Sequence, residues 1–334
     1  MEQSPLQQTP VGAFRFNTDS SKMEYYDGNQ WVNITSTSPQ AQTGGTRGLF
    51  GGGYTPTLTN VIEYVNVDST GNAANFGDLA AGSRGIKGLA SRTRGVWCGG
   101  YEPGYSDRLQ FVTIASTGDT TDFGDLNIGA YTPSCFSNET RGIIAAMESS
   151  TTNNNVIDYI TIASAGDAKD FGDTTALLRV ASGCASPTRG LIFSGYTSPG
   201  YTTDIKYLTI STLGNSADFG TCTAGSGGFS VSNAVRAVHA VGYPSPAMSD
   251  TVDYVTIATL GDAKDFGDLS AAKNDTAGCA SPTRGIWGGG KTPTKVNVID
   301  YVQLMTTGNA FDFGDITTAT SQMGGLSNGH GGLG

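Results

Sequence analysis

Short apolar runs separated by turn residues are the dominant pattern of the chain. Between residues 85 and 126 the runs are rich in Val, Ile, Thr, Tyr and Phe, and Gly, Pro, Asn and Asp bound them. Such runs are typical of β-strands joined by tight turns. The pattern therefore predicts four strands in this stretch, at Gly85–Ala90, Gly95–Gly99, Gln110–Ala115 and Thr121–Leu126.

This stretch recurs along the chain with a period of 47 or 48 residues. A Phe-Gly-Asp tripeptide begins at Phe76, Phe123, Phe171, Phe266 and Phe313, with an imperfect copy at Phe219. An arginine, most often within Thr-Arg-Gly, recurs at Arg47, Arg94, Arg141, Arg189, Arg236 and Arg284. An aromatic residue recurs at Tyr64, Phe111, Tyr159, Tyr207, Tyr254 and Tyr301. Six units of four strands predict an all-β protein, a six-bladed β-propeller.

The two ends of the repeat region predict how such a propeller would close. The first unit starts abruptly at Thr46-Arg47-Gly48, without the strand that precedes the arginine elsewhere. Residues 323–328, near the C-terminus, follow the pattern of that missing strand. Because an incomplete blade leaves a strand edge unpaired, we expect this C-terminal strand to complete the first unit. The predicted propeller then spans residues 46–334.

The first 34 residues lie outside the repeat and predict a small β module for attachment or oligomerisation. Residues 12–32 have the pattern of three short strands joined by two turns. So small a sheet buries too little apolar surface to be stable alone. We therefore expect its apolar side, assigned to Phe14, Phe16, Tyr26 and Trp31, to pack on the propeller, on another copy or on a partner. Residues 35–45 are predicted to be a linker.

Composition excludes several classes of protein. The chain has 48 Gly and only 14% charged residues, which argues against a helical bundle or coiled coil. Its 19 Lys and Arg against 29 Asp and Glu give a net charge of −10, which disfavours nucleic acid as a partner. No basic segment followed by an apolar one opens the chain, and no run of about 18 apolar residues occurs. We therefore expect neither a signal peptide nor membrane insertion.

The five cysteines form no Cys-x-x-Cys pair, so we expect buried free thiols and neither a disulfide framework nor a zinc site. His239 occupies the strand position of Phe50 and Trp97 in other units, so it is predicted to be a core residue. His330 lies in the C-terminal tail. Nothing positions a nucleophile, a general base or a phosphate loop. The protein is predicted not to be an enzyme, with no catalytic residue, metal or cofactor.

Groups that recur in every unit are explained by the scaffold, whereas an active site should break the symmetry. The arginines are expected to pair with strand carbonyls or with the recurring acids Asp78, Asp125, Asp173, Asp268 and Asp315. The recurring Asp-Phe-Gly-Asp string is expected to be a turn whose Asp accepts backbone N–H bonds. Repeated calcium binding by these acids stays open as an alternative.

The loop that follows a pair of glycines is where the units differ most. These loops carry tyrosines among Thr, Ser, Pro and Asn, namely Tyr54, Tyr101, Tyr105, Tyr196, Tyr201 and Tyr243. In a propeller all such loops emerge on one face of the disc. Aromatic rings amid neutral hydrogen-bonding groups suit stacking on sugar rings or on a protein partner, so these six tyrosines are the predicted ligand-binding residues. The alternative is that the rings only shield the loops.

Two resemblances add to this picture. The apolar strands that end in paired glycines, such as Leu49–Gly53, Val96–Gly100 and Ile286–Gly290, resemble the kelch repeat, whose fold is a propeller. The segment Phe111–Leu126 is similar to repeats in structural proteins of tailed phages of aquatic bacteria. The N-terminal segment resembles a short module of phage tail-fibre and other virion proteins.

These resemblances imply a structural virion protein, a tail fibre or tail-associated adhesin. Its propeller would recognise a host-surface glycan or protein, and its N-terminal module would bind other virion proteins, with homo-oligomers in the particle. A capsid-decorating protein would leave the same trace in the sequence. An enzyme that degrades host polysaccharide is a further alternative. It would need a cluster of carboxylates that breaks the symmetry, for which the irregular stretch Cys222–Asp253 is the place to look.

Overall fold

The computed structural model describes residues 9–18, 22–33, 46–149, 154–243 and 247–334. Within these ranges every regular element is a β-strand except one short 3₁₀ turn, Gly331–Leu333. The chain divides into two compact units, residues 1–43 and 44–334. The predicted linker, residues 35–45, lies outside the described residues.

The N-terminal unit contains a three-stranded antiparallel sheet, which confirms the predicted order of strand, turn, strand, turn and strand. Its strands are Phe14–Asn17, Lys22–Tyr26 and Trp31–Asn33, with the middle strand between the other two. The second turn is held by Asp27, whose Oδ1 accepts the amides of Asn29 and Gln30 at 2.8 Å each.

The prediction of a single apolar side for this sheet is wrong. Phe14 pairs with Tyr25, whereas Trp31 pairs with Tyr26, the next residue on the same strand. Because side chains alternate between the two faces of a sheet, Phe14 and Phe16 lie on the face opposite to Tyr26 and Trp31. Phe14 and Phe16 are 66% and 58% exposed. Trp31 lies instead beneath the Arg15 guanidinium, 4.3 Å from the ring centroid.

The C-terminal unit is built from six four-stranded antiparallel sheets. Sheet one consists of Gly324–Ser327, Arg47–Gly51, Val61–Asn66 and Ala74–Asp78. Sheet two consists of Lys87–Ala90, Arg94–Cys98, Arg108–Thr113 and Thr121–Asp125. Sheet three consists of Ser134–Ser137, Arg141–Ala145, Asn154–Thr161 and Lys169–Leu178. The four strands predicted for the second unit are therefore confirmed, with ends shifted by one or two residues.

The remaining sheets repeat this order. Sheet four consists of Ser182–Ala185, Arg189–Phe193, Asp204–Thr209 and Ala217–Thr221. Sheet five consists of Phe229–Ser232, Arg236–Ala240, Thr251–Thr256 and Lys264–Asp268. Sheet six consists of Ala277–Ala280, Arg284–Gly288, Val298–Gln303 and Phe311–Asp315. Three loops hold small hairpins, Tyr101–Glu102 with Gly104–Tyr105, Tyr196–Thr197 with Gly200–Tyr201, and Lys291–Thr292 with Thr294–Lys295.

Sheet one joins the two ends of the repeat region. Its first strand, Gly324–Ser327, comes from the C-terminus and pairs antiparallel with Arg47–Gly51, with Leu326 opposite Leu49. The expectation that residues 323–328 supply the missing strand is thus confirmed. The chain needs this strand because the buried Arg47–Gly51 segment would otherwise leave its backbone groups without partners on one side.

The hydrophobic core is divided among the interfaces between sheets. Six clusters of buried side chains occur, and each draws residues from two neighbouring sheets. One of them joins sheet six to sheet one through Phe313 and Phe50. The first strands of the sheets also contact each other in sequence, and that of sheet six contacts the first strand of sheet one. Together they line a cavity of about 100 Å³, here called the first-strand cavity.

Candidate functional site

The recurring arginines hold neighbouring units together. Each guanidinium lies over the recurring aromatic ring of its own unit, as Arg141 does over Tyr159 at 4.6 Å from the centroid. Its Nη1 donates to a carbonyl of the next unit, and the pairs are Arg47 with Ile114, Arg94 with Ile162, Arg141 with Ile210, Arg189 with Ile257, Arg236 with Leu304, and Arg284 with Val67. The predicted carbonyl pairing is confirmed. Among the described residues, no ion pair joins these arginines to the recurring acids, so that alternative is wrong.

The Asp-Phe-Gly-Asp string is not a turn. It lies in the outermost strand of its sheet, where a β-bulge interrupts the pairing, as between Leu109 and Gln110 in sheet two. The final Asp donates its backbone amide, as Asp125 does to Asp167 Oδ1 of the next unit at 3.1 Å. The prediction failed because the accepting carboxylate belongs to a Gly-Asp turn of the neighbouring sheet, a contact that no local pattern reveals.

Both histidines are used inside the scaffold. His239 is fully buried and stacks on Phe193 at 5.0 Å, which confirms its predicted place in the core. His330 lines the first-strand cavity at the C-terminal ends of the first strands, where its Nε2 lies 2.9 Å from the carbonyl oxygen of Ala90. Burial lowers the pKa of His330 to about 4, so its imidazole is neutral at pH 7.

The cysteines are free thiols, and burial decides their chemistry. Cys98, Cys184, Cys222 and Cys279 are buried, and Cys135 is half-buried. Burial raises the pKa of Cys184 to about 12, so this thiol stays protonated at neutral pH.

The irregular stretch of the fifth unit, Cys222–Asp253, contains a buried acid, Asp253, that forms hydrogen bonds within the scaffold. Asp253 is fully buried, and its Oδ2 accepts the amide of Thr223 at 2.9 Å and the hydroxyl of Thr223 at 2.8 Å. Asp158 holds the same place in sheet three and accepts the Asn127 side chain at 2.7 Å. Because equivalent residues of two units make the same kind of bond, this carboxylate belongs to the repeated scaffold.

The other end of the first-strand cavity is ringed by the turns that precede the first strands. Four of these turns contain residues other than glycine with positive φ, and Gly85 has φ of 64°. The four residues are Thr132, Val180, Asp275 and Gln322. Backbone bonds link neighbouring turns: Thr132 donates to Gly85, Gly85 to Gln322, and Gln322 to Asp275, at 2.8 to 2.9 Å. We call these five turn residues the cavity mouth.

Loops that carry predicted tyrosines are attached to this mouth. The bonds are Tyr54 N to Ser321 O, Tyr101 N to Arg84 O and Tyr196 N to Arg179 O, each 2.8 Å. Ser321, Arg84 and Arg179 directly precede mouth residues in the chain. The three loops therefore lie at the same end of the cavity.

Two of the predicted tyrosines join a third that the sequence did not single out. The rings of Tyr101, Tyr105 and Tyr131 contact each other edge to face, with centroids 6.0 to 6.2 Å apart. Tyr105 is 37% exposed, and the other two are half-buried. Tyr131 was missed because it precedes a first strand and is not part of a loop. Tyr131 directly precedes Thr132, a turn residue with positive φ, but this position could be recognised only from the structure.

Arg84 lies near two rings of this aromatic group and near the ring of Tyr54. Its guanidinium carbon is 5.5 Å from the ring centroid of Tyr54, 5.0 Å from that of Tyr101 and 5.9 Å from that of Tyr131. Its charge lowers the pKa of Tyr131, but burial of this hydroxyl has the larger effect, and the pKa of Tyr131 is raised. Arg84 was also missed by the sequence analysis, because it lies outside the variable loops and is not one of the residues that recur in every unit.

The remaining predicted tyrosines lie around a second arginine. Tyr196 and Tyr201 meet edge to face at 5.4 Å, and Arg179 lies 4.5 Å above the Tyr196 centroid. Arg179 also forms an ion pair of 2.9 Å with Glu148. Tyr243 is half-buried and interacts electrostatically with Tyr201, whose pKa is raised mainly by burial. Predicted tyrosines thus gather in two groups and do not form one continuous patch.

Charged groups at the cavity mouth interact electrostatically with each other. Burial raises the pKa of Asp275, although Lys87, Lys291 and Arg84 oppose this rise. Burial lowers the pKa of Lys87, whose ammonium lies 4.9 Å from the ring centroid of Phe229. Three cations therefore surround one carboxyl group at this end of the cavity.

The comparisons with known proteins add no relative. A scan against protein-family models and a search of curated proteins both find no match. Within the described ranges no group of three or more His, Cys, Asp and Glu side chains converges as a metal site. Nor does any helix in that part of the chain have the length and apolar character to cross a membrane.

Proposed function

We propose that the six sheets are the blades of a closed six-bladed β-propeller. The supporting observation is that contacts between consecutive units recur between unit six and unit one. The Phe76 carbonyl accepts the amide of Gly118, and the Phe313 carbonyl accepts that of Gly71, both at 2.8 Å. The first strands contact each other in the same cyclic order. In this architecture the first-strand cavity is the central channel and the mouth is one of its two ends.

We further propose that the protein is a non-enzymatic binding protein whose mouth face recognises a glycan. The observation that carries this proposal is the group of Tyr101, Tyr105 and Tyr131 beside the mouth. Edge-to-face packing holds these rings in place, so stacking a sugar on them costs little side-chain entropy. The neighbouring loops supply Thr, Ser and Asn hydroxyls and amides for hydrogen bonds.

The setting proposed for this binding is a virion. Support comes from the resemblance of Phe111–Leu126 and of the N-terminal segment to phage structural proteins. The exposed Phe14 and Phe16 give the N-terminal sheet an apolar face suited to another virion protein or another copy of the chain. A tail-associated adhesin and a capsid-decorating protein would both use these parts. Electron micrographs of particles labelled with an antibody against the chain would separate tail from capsid.

Binding can be tested on a glycan array with the full-length protein. We expect specific binding to one class of glycan and its loss in a Tyr101→Ala/Tyr105→Ala variant. Phe311→Ala is the matched control, because Phe311 is an aromatic residue, 61% exposed, on an outermost strand. Absence of binding to every glycan, or equal loss in the control, would contradict the proposal.

The enzyme alternative has its own test. Incubation of the protein with host polysaccharides should leave their chain length unchanged if the protein only binds. Cleavage that is abolished by a single substitution of an acidic residue would replace the proposed binding function with a hydrolytic one.

A further inference from the structure

Arg84 carries a positive charge, and the acid that interacts with it electrostatically, Asp275, forms no ion pair with it. Among the described residues, none forms an ion pair with its guanidinium. Its Nε is buried without a hydrogen-bond partner. A buried donor without a partner is costly, and a guanidinium is the side chain best suited to two parallel bonds with a carboxylate. We therefore expect the Arg84 guanidinium to bind an acceptor from another molecule.

Arg179 differs from Arg84 in having an ion-pair partner, although its Nε is also buried without a hydrogen-bond partner. The two arginines occupy equivalent positions, since each forms a backbone bridge to the loop tyrosine of its own sheet, Tyr101 or Tyr196. Each guanidinium also lies against that tyrosine ring. Arg179, however, has Glu148 at 2.9 Å, whereas Arg84 lies among tyrosine rings and forms no ion pair within the described residues. Equivalent positions in two units thus hold one arginine with an ion pair, Arg179, and one without, Arg84.

The surroundings of Arg84 are rich in cations, although the whole chain has a net charge of −10. Lys295 lies 4.2 Å from the Tyr54 centroid and donates to the carbonyl of Thr55. Lys87 and Lys291 interact electrostatically with Asp275, the one acid found to interact with Arg84 in the described part of the chain. Three of these cations act on Asp275. A second acid, Glu148, acts on Tyr105 and Tyr131. A local positive region on an acidic protein attracts anions selectively.

We propose that Arg84 and the rings of Tyr101, Tyr105 and Tyr131 bind a carboxylated sugar, a hexuronic acid unit of an acidic polysaccharide. This inference rests on the proposed glycan-binding function and names its ligand class. The guanidinium fork pairs with the carboxylate, and the exposed Tyr105 ring stacks on the sugar ring.

The test measures calorimetric binding of two probes to the full-length protein. The probes are hexagalacturonic acid and the same oligosaccharide with every carboxylate methyl-esterified. We expect the acid to bind at least tenfold more tightly than the ester, with a preference that weakens as salt increases. In Arg84→Gln the preference should disappear. In Arg84→Lys, which keeps the charge and loses the fork, it should fall severalfold.

Arg108→Gln is the matched control, because Arg108 lies at the end of the same loop as Tyr105 and is already paired with Glu102 at 3.3 Å. This variant should keep the full preference for the acid over the ester. Thermal unfolding should show that all variants are folded. If Arg84→Gln does not fold, the proposal is tested by the preference of Arg84→Lys for the acid over the ester and by the salt dependence of that preference. A sulfated hexasaccharide that binds more tightly than the uronate would overturn the carboxylate assignment.

Failure of this inference and failure of the proposed function give different results. Equal binding of acid and ester, lost in Tyr101→Ala/Tyr105→Ala, would overturn the role of Arg84 and keep glycan recognition. A preference for the acid that survives in Arg84→Gln would do the same. Absence of binding to these probes and to every glycan on an array would overturn both.

Discussion

The amide of Gly71 donates a 2.8 Å hydrogen bond to the carbonyl of Phe313, near the opposite end of the chain. The same bond joins Gly118 to Phe76 and Gly166 to Phe123 in consecutive units. The interface between the last unit and the first is therefore built like every other interface. Stability is then shared among equivalent contacts, so one weakened interface should affect the whole C-terminal unit.

Gly77 should tolerate no side chain. A Cβ at this position would lie 2.2 Å from the carbonyl oxygen of Gly118 in the neighbouring unit. We expect Gly77→Ala to lower the free energy of unfolding by about 2–4 kcal/mol, measured by urea denaturation. Gly104→Ala is the control, because its Cβ would meet no atom closer than 3.8 Å. An equal loss of stability in both variants would show that the close approach of Gly77 to Gly118 is not responsible.

The recurring arginines should contribute to stability and not to binding. Arg141 donates to the Ile210 carbonyl at 2.8 Å while its guanidinium covers Tyr159. Replacement by Gln removes both interactions and should lower the free energy of unfolding by about 1.5–3 kcal/mol. Arg108→Gln, which breaks a partly exposed ion pair with Glu102, should cost less than about 1 kcal/mol. Glycan binding that falls in Arg141→Gln at unchanged fold would contradict this assignment.

The C-terminal strand should be essential for the C-terminal unit. Removal of residues 321–334 exposes the edge of Arg47–Gly51 and should cost roughly several kcal/mol or cause aggregation. Removal of residues 331–334 alone keeps the strand and should cost less. Thermal unfolding and size-exclusion chromatography distinguish these results. Unchanged unfolding of the longer truncation would show that the pairing does not contribute to stability.

Asp275 should destabilise the protein at neutral pH. Burial raises its pKa above the ordinary value of 3.8, so the folded state holds the proton more tightly than the unfolded state does. The resulting stability is present below pH 3.8 and is lost as pH rises through the folded pKa. Asp275→Asn should therefore raise the melting temperature at pH 7 and not at pH 3. Asn also accepts the φ of 58° at this position.

Asp122→Asn, at an exposed position of an outermost strand, is the control for this pH dependence. It should change the melting temperature little at either pH. A melting temperature of Asp275→Asn below that of the unmodified protein at pH 7 would mean that attraction to Lys87 and Lys291 outweighs the cost of burial.

His330 should make stability fall in mild acid. Its pKa is lowered to about 4 in the folded state from 6.5, so between these values the unfolded state binds a proton that the folded state does not. Stability should decrease as pH falls from 6.5 to about 4 and this contribution should end below that range. His330→Gln should have a shallower dependence in urea unfolding. A part of the slope should remain, because burial also lowers the pKa of His239.

Much of the C-terminal unit could be predicted because its strands are local. The alternation of apolar and polar residues placed the four strands of the second unit to within one or two residues, and the period identified the 323–328 strand. The N-terminal sheet shows where this reasoning stops. Its three strands were predicted, but the assignment of Phe14 and Trp31 to one face failed, because the face depends on the register between strands.

Some residues of the candidate site could also be predicted from the sequence, whereas others could not. Variable loops pointed to Tyr101 and Tyr105, since loop residues differ between otherwise similar units. Arg84 and Tyr131 were found only in the structure, because each belongs to a different turn and they meet only where two units adjoin at the mouth.

The amino-acid sequence by itself determined the six-fold repeat, the strand pattern and the residues that recur in every unit, because these follow from interactions within about 50 residues of chain. Only the tertiary structure decided which carbonyl each arginine reaches and which face of the N-terminal sheet each aromatic side chain occupies. It also decided that Arg84 stands among tyrosines with no ion-pair partner in the described part of the chain. Those outcomes depend on how distant segments pack against each other, and packing at that range leaves no periodic signal in the chain.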